Sequence, residues 1–556
     1  MLDTLRDKAA RHPYWALALV TLAALLPFVA KPFNIDDPLF IWAARQIHAH
    51  PGDPYGFNVE WGWREFPMAK VTENPPLACY YLALAAGIFG WGEVGLHMAF
   101  LLPALAVILG TYRLARHFCR SPGWAALMTL FTPVFLVSAN TLMCDVLMLA
   151  FWIWAVAFWV EGMERQSVGR LVTAGVLVAL AIISKYYAVC LVPLLAAHAL
   201  ILNRRLGRWV LALLIPVAAI VLYQLATSSL YGAGLLGAAA HYARFATGHF
   251  GFSKISACAT ALAFTGGCVA TAVFFAPLLW QRTTSLIIAT AGAAIVFVLV
   301  AGKVFQKYAA TAEGSPAFTE IQFVFWALGG LSLLTLAAVE VRRRPDAVSW
   351  LLALWVWGTF LFAAVINWTV NGRSLLPLVP AVAILAVRRL EGMTTMRPKP
   401  MAVCLALGAA LAFLVAWADF SFSCAVRRVA ERVCTKNGHS SATLWFQGHW
   451  GFQFYMQQLG AAPVDFKSSP LKPGDIVAVP SNNTNLMPLD PARSVLIDLV
   501  TEKGSSVLAT MDTSTGAGFY SSVWGPLPFA FGHVPSEYAR VYELRQPSVA
   551  VPGDSK

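Results

Sequence analysis

The sequence predicts an α-helical polytopic membrane protein with a small α/β domain at its C-terminal end. Three observations predict it. The 556 residues are 58% hydrophobic and only 12% charged, where soluble chains carry about 25% charge. Apolar windows of spanning length recur along the first three quarters of the chain. Beyond residue 419 that pattern stops, and short alternating runs with frequent turn signals replace it.

Thirteen windows are long enough to cross a bilayer: residues 13–30, 95–115, 123–142, 145–161, 169–184, 187–202, 207–226, 257–280, 284–302, 318–340, 347–367, 374–390 and 400–418. The first follows Arg6, Lys8 and Arg11, as a signal peptide would. No small-residue cleavage site precedes Lys31, so it reads as an uncleaved helix. A further apolar stretch at 75–90 opens with Pro75-Pro76 and is short, which suits a segment lying at the interface.

Charge sets the orientation. With 75–90 not spanning and the N-terminus in the cytoplasm, the inner loops hold nineteen Lys and Arg, among them Arg342, Arg343 and Arg344. The longer outer segments hold ten. That is the positive-inside bias, and it puts residues 420–556 outside, in the periplasm or extracellular space of a bacterial plasma membrane. The net charge of +12 is explained by those loops. No basic cluster is interleaved with aromatics, so nucleic acid is excluded as a partner. The nine cysteines contain no Cys-x-x-Cys pair. Cys424 and Cys434 can form a disulfide if that side is oxidising, but if residues 425–433 are helical they stand about 15 Å apart, too far to bond.

The first outer segment, 31–94, is too long for a simple connector. It opens with Asp36-Asp37-Pro38, and Pro38 to Ala49 fits a helix capped by Asp36 or Asp37. Leu39, Ile41, Trp42 and Ile47 would lay that helix on the bilayer. A second outer loop, 227–256, carries Arg244 and Lys254. After residue 420, the runs 475–479 and 494–498 read as strands between turns such as Pro473-Gly474.

An acidic pair at a membrane exit is costly unless it faces water, a cation or a substrate. Asp36 and Asp37 can therefore act as a general base, or as a carboxylate that orients a nucleophile. Glu73 and Asn74 follow on the same side. Asp145 stands between two apolar runs and wants a cationic partner. Lys185, beside Tyr186, and Arg373 lie at outer helix ends. They suit a phosphate, which needs charge-assisted donors. Each also has a plainer reading: a helix cap, a proline turn, an interfacial anchor. A divalent metal near Asp36 and Glu73 is left open, and no cofactor is called for.

The order of these motifs resembles the GT-C-fold glycosyltransferases that use polyprenyl-phosphate sugars, the group of protein O-mannosyltransferases and lipid A aminoarabinose transferases. Asp36-Asp37-Pro38 through Arg45 resembles the first-loop acidic motif, and Glu73-Asn74-Pro75-Pro76-Leu77 the Pro-Pro-Leu segment after it. Leu142-Met143-Cys144-Asp145 resembles the second acidic motif. Ser184-Lys185-Tyr186 and Arg373 to Pro380 also have counterparts. The resemblance covers residues 10–390 in layout. It implies an inverting transferase that takes one sugar from a polyprenyl phosphate to a glycan, lipid or protein acceptor. Asp36 would be the essential carboxylate and Asp145 the second. Arg45 would support the first-loop helix. Lys185 and Arg373, with Arg244 and Lys254, would hold the donor phosphate. Two departures stand out: the second acid is Asp37 rather than Glu, and Asn74 replaces the Lys of the aminoarabinose transferases. A transporter or flippase for lipid-linked sugars is the main alternative, and a non-catalytic membrane subunit the second. Against transport, no inverted repeat is found.

Overall fold

The computed structural model describes residues 12–72, 74–250, 254–281, 316–393, 398–438 and 442–545, with 283, 290 and 292. Among them, seven helices are long and apolar enough to cross a membrane, running from Glu93–Phe118 to Pro398–Asn437. An eighth is counted if Pro122–Leu130 and Pro133–Ala139, bent by 63°, form one span. Pro13–Phe28, Leu77–Phe89 and Val168–Ser184 are shorter.

The expected thirteen spans are therefore not thirteen continuous helices. Prolines divide several windows, because each removes an N–H and clashes with the preceding turn. The window 257–280 breaks into Lys254–Cys268, Ala270–Phe274 and Ala276–Leu279; only the second break is at a proline, Pro277, and the first, at Val269, follows Gly266-Gly267. The window 374–390 breaks at Pro377 and Pro380 into Gly372–Leu375, Leu376–Leu378 and Val379–Glu391. The window 284–302 lies outside the described residues apart from Thr290 and Gly292. Leu77–Phe89 does form a helix. At 13 residues it measures about 20 Å, short of the roughly 30 Å hydrocarbon core.

The helix Asp37–Ala49 forms where the sequence places it, but Ile41 and Ile47 are buried in protein rather than laid on lipid. It packs against Leu77–Phe89 on one side and the C-terminal helix Trp450–Gln458 on another.

The helix Pro398–Asn437 runs 40 residues without a break, about 60 Å, or twice the hydrocarbon thickness. The expected boundary between 419 and 420 falls inside it. Its second half packs against a five-stranded sheet built from β1 (Leu444–Phe446), β2 (Ala462–Pro463), β3 (Ile476–Pro480), β4 (Ser494–Glu502) and β5 (Glu537–Leu544). The order is β2-β1-β3-β5-β4, with β5 antiparallel to both neighbours and β1 parallel to both of its own. Both expected strand runs are there, as β3 and β4. Cys424 and Cys434 share the long helix, and both are free thiols.

One buried ion pair ties these parts together. Lys31 and Asp419 are each 2% exposed, with Nζ 2.5 Å from Oδ2. Thr510 Oγ1 and the Tyr520 hydroxyl also donate to Asp419, at 3.0 and 2.9 Å. The stretch after the first helix, the long helix and the C-terminal loops thus meet on one carboxylate. Removing one partner of such a pair leaves an uncompensated buried charge. Asp419→Ala should cost about 3–5 kcal/mol, measured by denaturant titration of the purified protein. Lys31→Met combined with Asp419→Leu should recover only part of that loss, because the Thr510 and Tyr520 hydroxyls still lose their acceptor.

Candidate active site

The site is built where four chain segments leave regular helix. The first is the acidic turn before Asp37–Ala49. Ile35, a buried β-branched residue, has φ +52°. That left-handed conformation is a real outlier for such a side chain, and outliers of this kind concentrate at functional sites. The second is the start of Cys144–Glu164. The third is the end of Val168–Ser184, where Lys185 turns extended at φ −154°. The fourth is the break Asn367–Asn371, which follows a π-helical turn at Phe362–Ile366. π-Turns are frequent at functional sites, and unwound backbone at membrane depth is tolerated where it lines a cavity.

The four segments surround a cavity of about 500 Å³. Asp36, Lys185 and Arg373 supply the charged side chains of its described lining, and Asn74, Tyr186, Asn371 and Tyr520 face it as well. Asp36 occupies the N-cap position but makes no cap hydrogen bond. Its carboxylate pairs instead with Arg373 Nη2 at 3.1 Å. Arg373 also points Nη1 at Met143 Sδ, 2.6 Å away, and lies over the Tyr520 ring, 5.6 Å from its centre.

Asp145 sits beneath the cavity, 1% exposed, and Lys185 Nζ donates to its Oδ1 at 2.5 Å. Asp145 Oδ2 and Arg373 Nε have no hydrogen-bond partner among the described residues. Buried polar atoms left open in this way are costly. An anion placed between Lys185 and Arg373 would satisfy the guanidinium.

Asp37 does something different from its neighbour. It is fully buried and accepts from the backbone N–H groups of Leu142 at 2.8 Å and Asn34 at 3.2 Å. It therefore pins the first acidic motif to the start of the second, and it does not line the cavity. Tyr186 donates to the Tyr223 hydroxyl at 3.3 Å. Cys144 Sγ lies 3.5 Å from Asn74 Oδ1.

Other expected residues are not brought in. The expected loop is largely helical: Arg244 lies in Leu235–Phe250 and Lys254 opens Lys254–Cys268. Both are exposed and outside the lining, and of the first helix Tyr242 reaches it. Arg45 lies over the Trp91 and Phe454 rings and faces a separate cavity with Glu60 and Asp465. That packing holds the first-loop helix against the C-terminal region. Glu73 lies outside the described residues. Among those described, no three His, Cys, Asp or Glu side chains could hold a metal.

The sequence offers only the aromatic run from Trp445 to Tyr455 as a sign that the C-terminal region could meet a sugar or pack on the membrane part. Trp450, Asn485, Tyr520 and Trp524, all from the C-terminal region, form one wall of the cavity. The aromatic run around Trp450 was a visible signal, but Tyr520 carried none.

Residues 73–231 match the family model for dolichyl-phosphate-mannose-protein mannosyltransferases, one of the groups the motif order resembles. Among solved structures, the chain is similar to the Archaeoglobus fulgidus oligosaccharyltransferase tethered to an acceptor peptide. The identity is 13% and the TM-score 0.48, covering 82% of this chain. It spans only 64% of that protein's length. It is also similar to ArnT from Cupriavidus metallidurans bound to undecaprenyl phosphate, at 17% identity and TM-score 0.42, over 84% of this chain and 92% of ArnT. A third is the arabinofuranosyltransferase AftD from Mycobacteria, at 13% and 0.42, over 97% of this chain and 40% of AftD. No curated protein matches the chain.

Burial pushes the Asp37 carboxyl up to about 6, against the opposing pull of Lys31 and the two N–H donors. A carboxyl raised on folding stabilises most when protonated. Its contribution is complete below about pH 4 and is lost as pH rises through 6. Asp37→Asn should therefore flatten the stability profile between pH 4 and 6, read by denaturant titration across that range.

Proposed function

We propose that this chain is an inverting glycosyltransferase. It moves a sugar from a polyprenyl-phosphate donor to an acceptor hydroxyl on the outer side of a bacterial plasma membrane. The membrane-embedded part up to residue 419 carries the donor site, and residues 420–556 lie outside with the acceptor. The observation that carries this reading is the convergence of Asp36, Lys185 and Arg373 on one cavity, with Asp145 aiming Lys185 from below. The family-model match over 73–231 supports the same class.

The chemistry follows from the charges. The donor phosphate enters between Lys185 and Arg373, and Arg373 exchanges Asp36 for a phosphate oxygen. The Asp36 carboxylate is then free to orient the acceptor hydroxyl. That oxygen attacks the anomeric carbon from the face opposite the phosphate. The new C–O bond forms as the bond to the phosphate oxygen breaks, and the bonding electrons leave with the polyprenyl phosphate. The hydroxyl proton passes to Asp36 and then to water. The extra negative charge on the leaving group falls where two fixed cations already stand, so electrostatic stabilisation is the main contribution.

Asp36→Asn should lower transfer about 10²–10⁴-fold. Lys185→Gln and Arg373→Gln should each cost about 10²–10³-fold. Membrane vesicles supplied with radiolabelled polyprenyl-phosphate sugars measure this directly. Asp36→Asn protein that is folded and transfers at the wild-type rate refutes the reading. Mass spectrometry of surface glycans and lipids, with and without the protein, identifies the product.

A further inference from the structure

The C-terminal wall of the cavity differs in chemistry from its floor. All the charged groups of the described lining, Asp36, Lys185 and Arg373, come from the membrane-embedded part. The C-terminal region adds Trp450, Thr484, Asn485, Tyr520, Ser521 and Trp524 to the polar and aromatic wall, and none of these is charged. Trp450 and Trp524 stand with ring centres 5.5 Å apart, tilted by 53°.

The placement of Trp450 is costly, which marks it as specified. Its backbone has φ +62°, a conformation that bulky side chains rarely adopt. It is also registered against the acidic turn. Gly451 packs so closely on Phe33 that an added Cβ would stand 2.3 Å from the Phe33 carbonyl oxygen. Gly451 N–H donates to Asn34 Oδ1 at 3.4 Å, and Phe33 N–H donates to the Tyr455 hydroxyl at 2.8 Å. The tryptophan is thus held on the residues immediately before Ile35 and Asp36.

Aromatic faces carry negative quadrupoles that attract the slightly positive C–H groups of a sugar ring. Neutral amide and hydroxyl groups at the rim match sugar hydroxyls. An anionic lipid acceptor would need cations on this wall, and its described lining has none. We propose that the acceptor is a neutral glycan, whose terminal sugar stacks on the partly exposed Trp524 ring, held in place by the buried Trp450, and presents its hydroxyl to Asp36. This rests on the glycosyltransferase reading above and names the acceptor class for the same site.

The test uses the full chain in vesicles with polyprenyl-phosphate sugars extracted from the source membranes. Three acceptor sets are offered: a panel of neutral oligosaccharides, a Ser/Thr-containing peptide and an anionic phosphoglycolipid. Transfer to a neutral oligosaccharide is expected. Trp450→Ala should raise KM for that glycan at least tenfold, by more than it lowers kcat, and Trp450→Phe should recover part of the loss. Trp524→Ala provides a second variant if Trp450→Ala does not fold. Donor turnover with product on peptide or anionic lipid, or with no product on the glycans, overturns the proposal. So does a KM unmoved in both tryptophan variants. If wild-type protein turns over no donor at all, the glycosyltransferase reading falls, and this inference with it.

Discussion

The arrangement depends on one cation. Arg373 is largely buried, and a buried guanidinium without counter-charge is strongly unfavourable. Its partners come from far apart in the sequence: Asp36 from the first outer segment, Met143 from the start of a spanning helix, and Tyr520 from the C-terminal region. Asp145 and Lys185 add a second buried pair beside it. Meeting the needs of these charges in a low-dielectric setting brings the four segments to one place. The unwound stretch at 367–371, just before Arg373, is affordable there because it borders a polar cavity.

A third pair, Lys31–Asp419, fixes the C-terminal region over that floor. Asp419 lies on the long helix that serves both parts of the protein. It accepts from Lys31, Thr510 and Tyr520. Tyr520 in turn lies over Arg373. The C-terminal region is therefore continuous with the site through one carboxylate and one ring. A displacement of that region would reach Arg373 directly.

Much of this was legible in the sequence. The apolar windows marked the helices, and the positive-inside count put Asp36, Asp145, Lys185 and Arg373 on a common side. What hydropathy could not show is where proline divides an apolar window, since the composition on either side of Pro377 is the same. Nor could it tell Asp36 from Asp37. Successive helical residues point about 100° apart, so one carboxylate meets Arg373 while the next turns inward to two backbone N–H groups. Arg244 and Lys254 had the right charge in the right stretch of sequence, but they stand on exposed positions of two helices, Leu235–Phe250 and Lys254–Cys268, outside the cavity lining. The aromatic run around Trp450 was visible, but its place in the site, like that of Tyr520, arises only when a separate sheet-bearing region docks onto the helices.

The most direct measurement is a cryo-EM structure of the full chain with a polyprenyl phosphate bound. The account predicts the phosphate between Lys185 Nζ and Arg373, with Arg373 drawn away from Asp36 and Lys185 still anchored by Asp145. A phosphate bound elsewhere, with the Asp36–Arg373 pair intact, would contradict it.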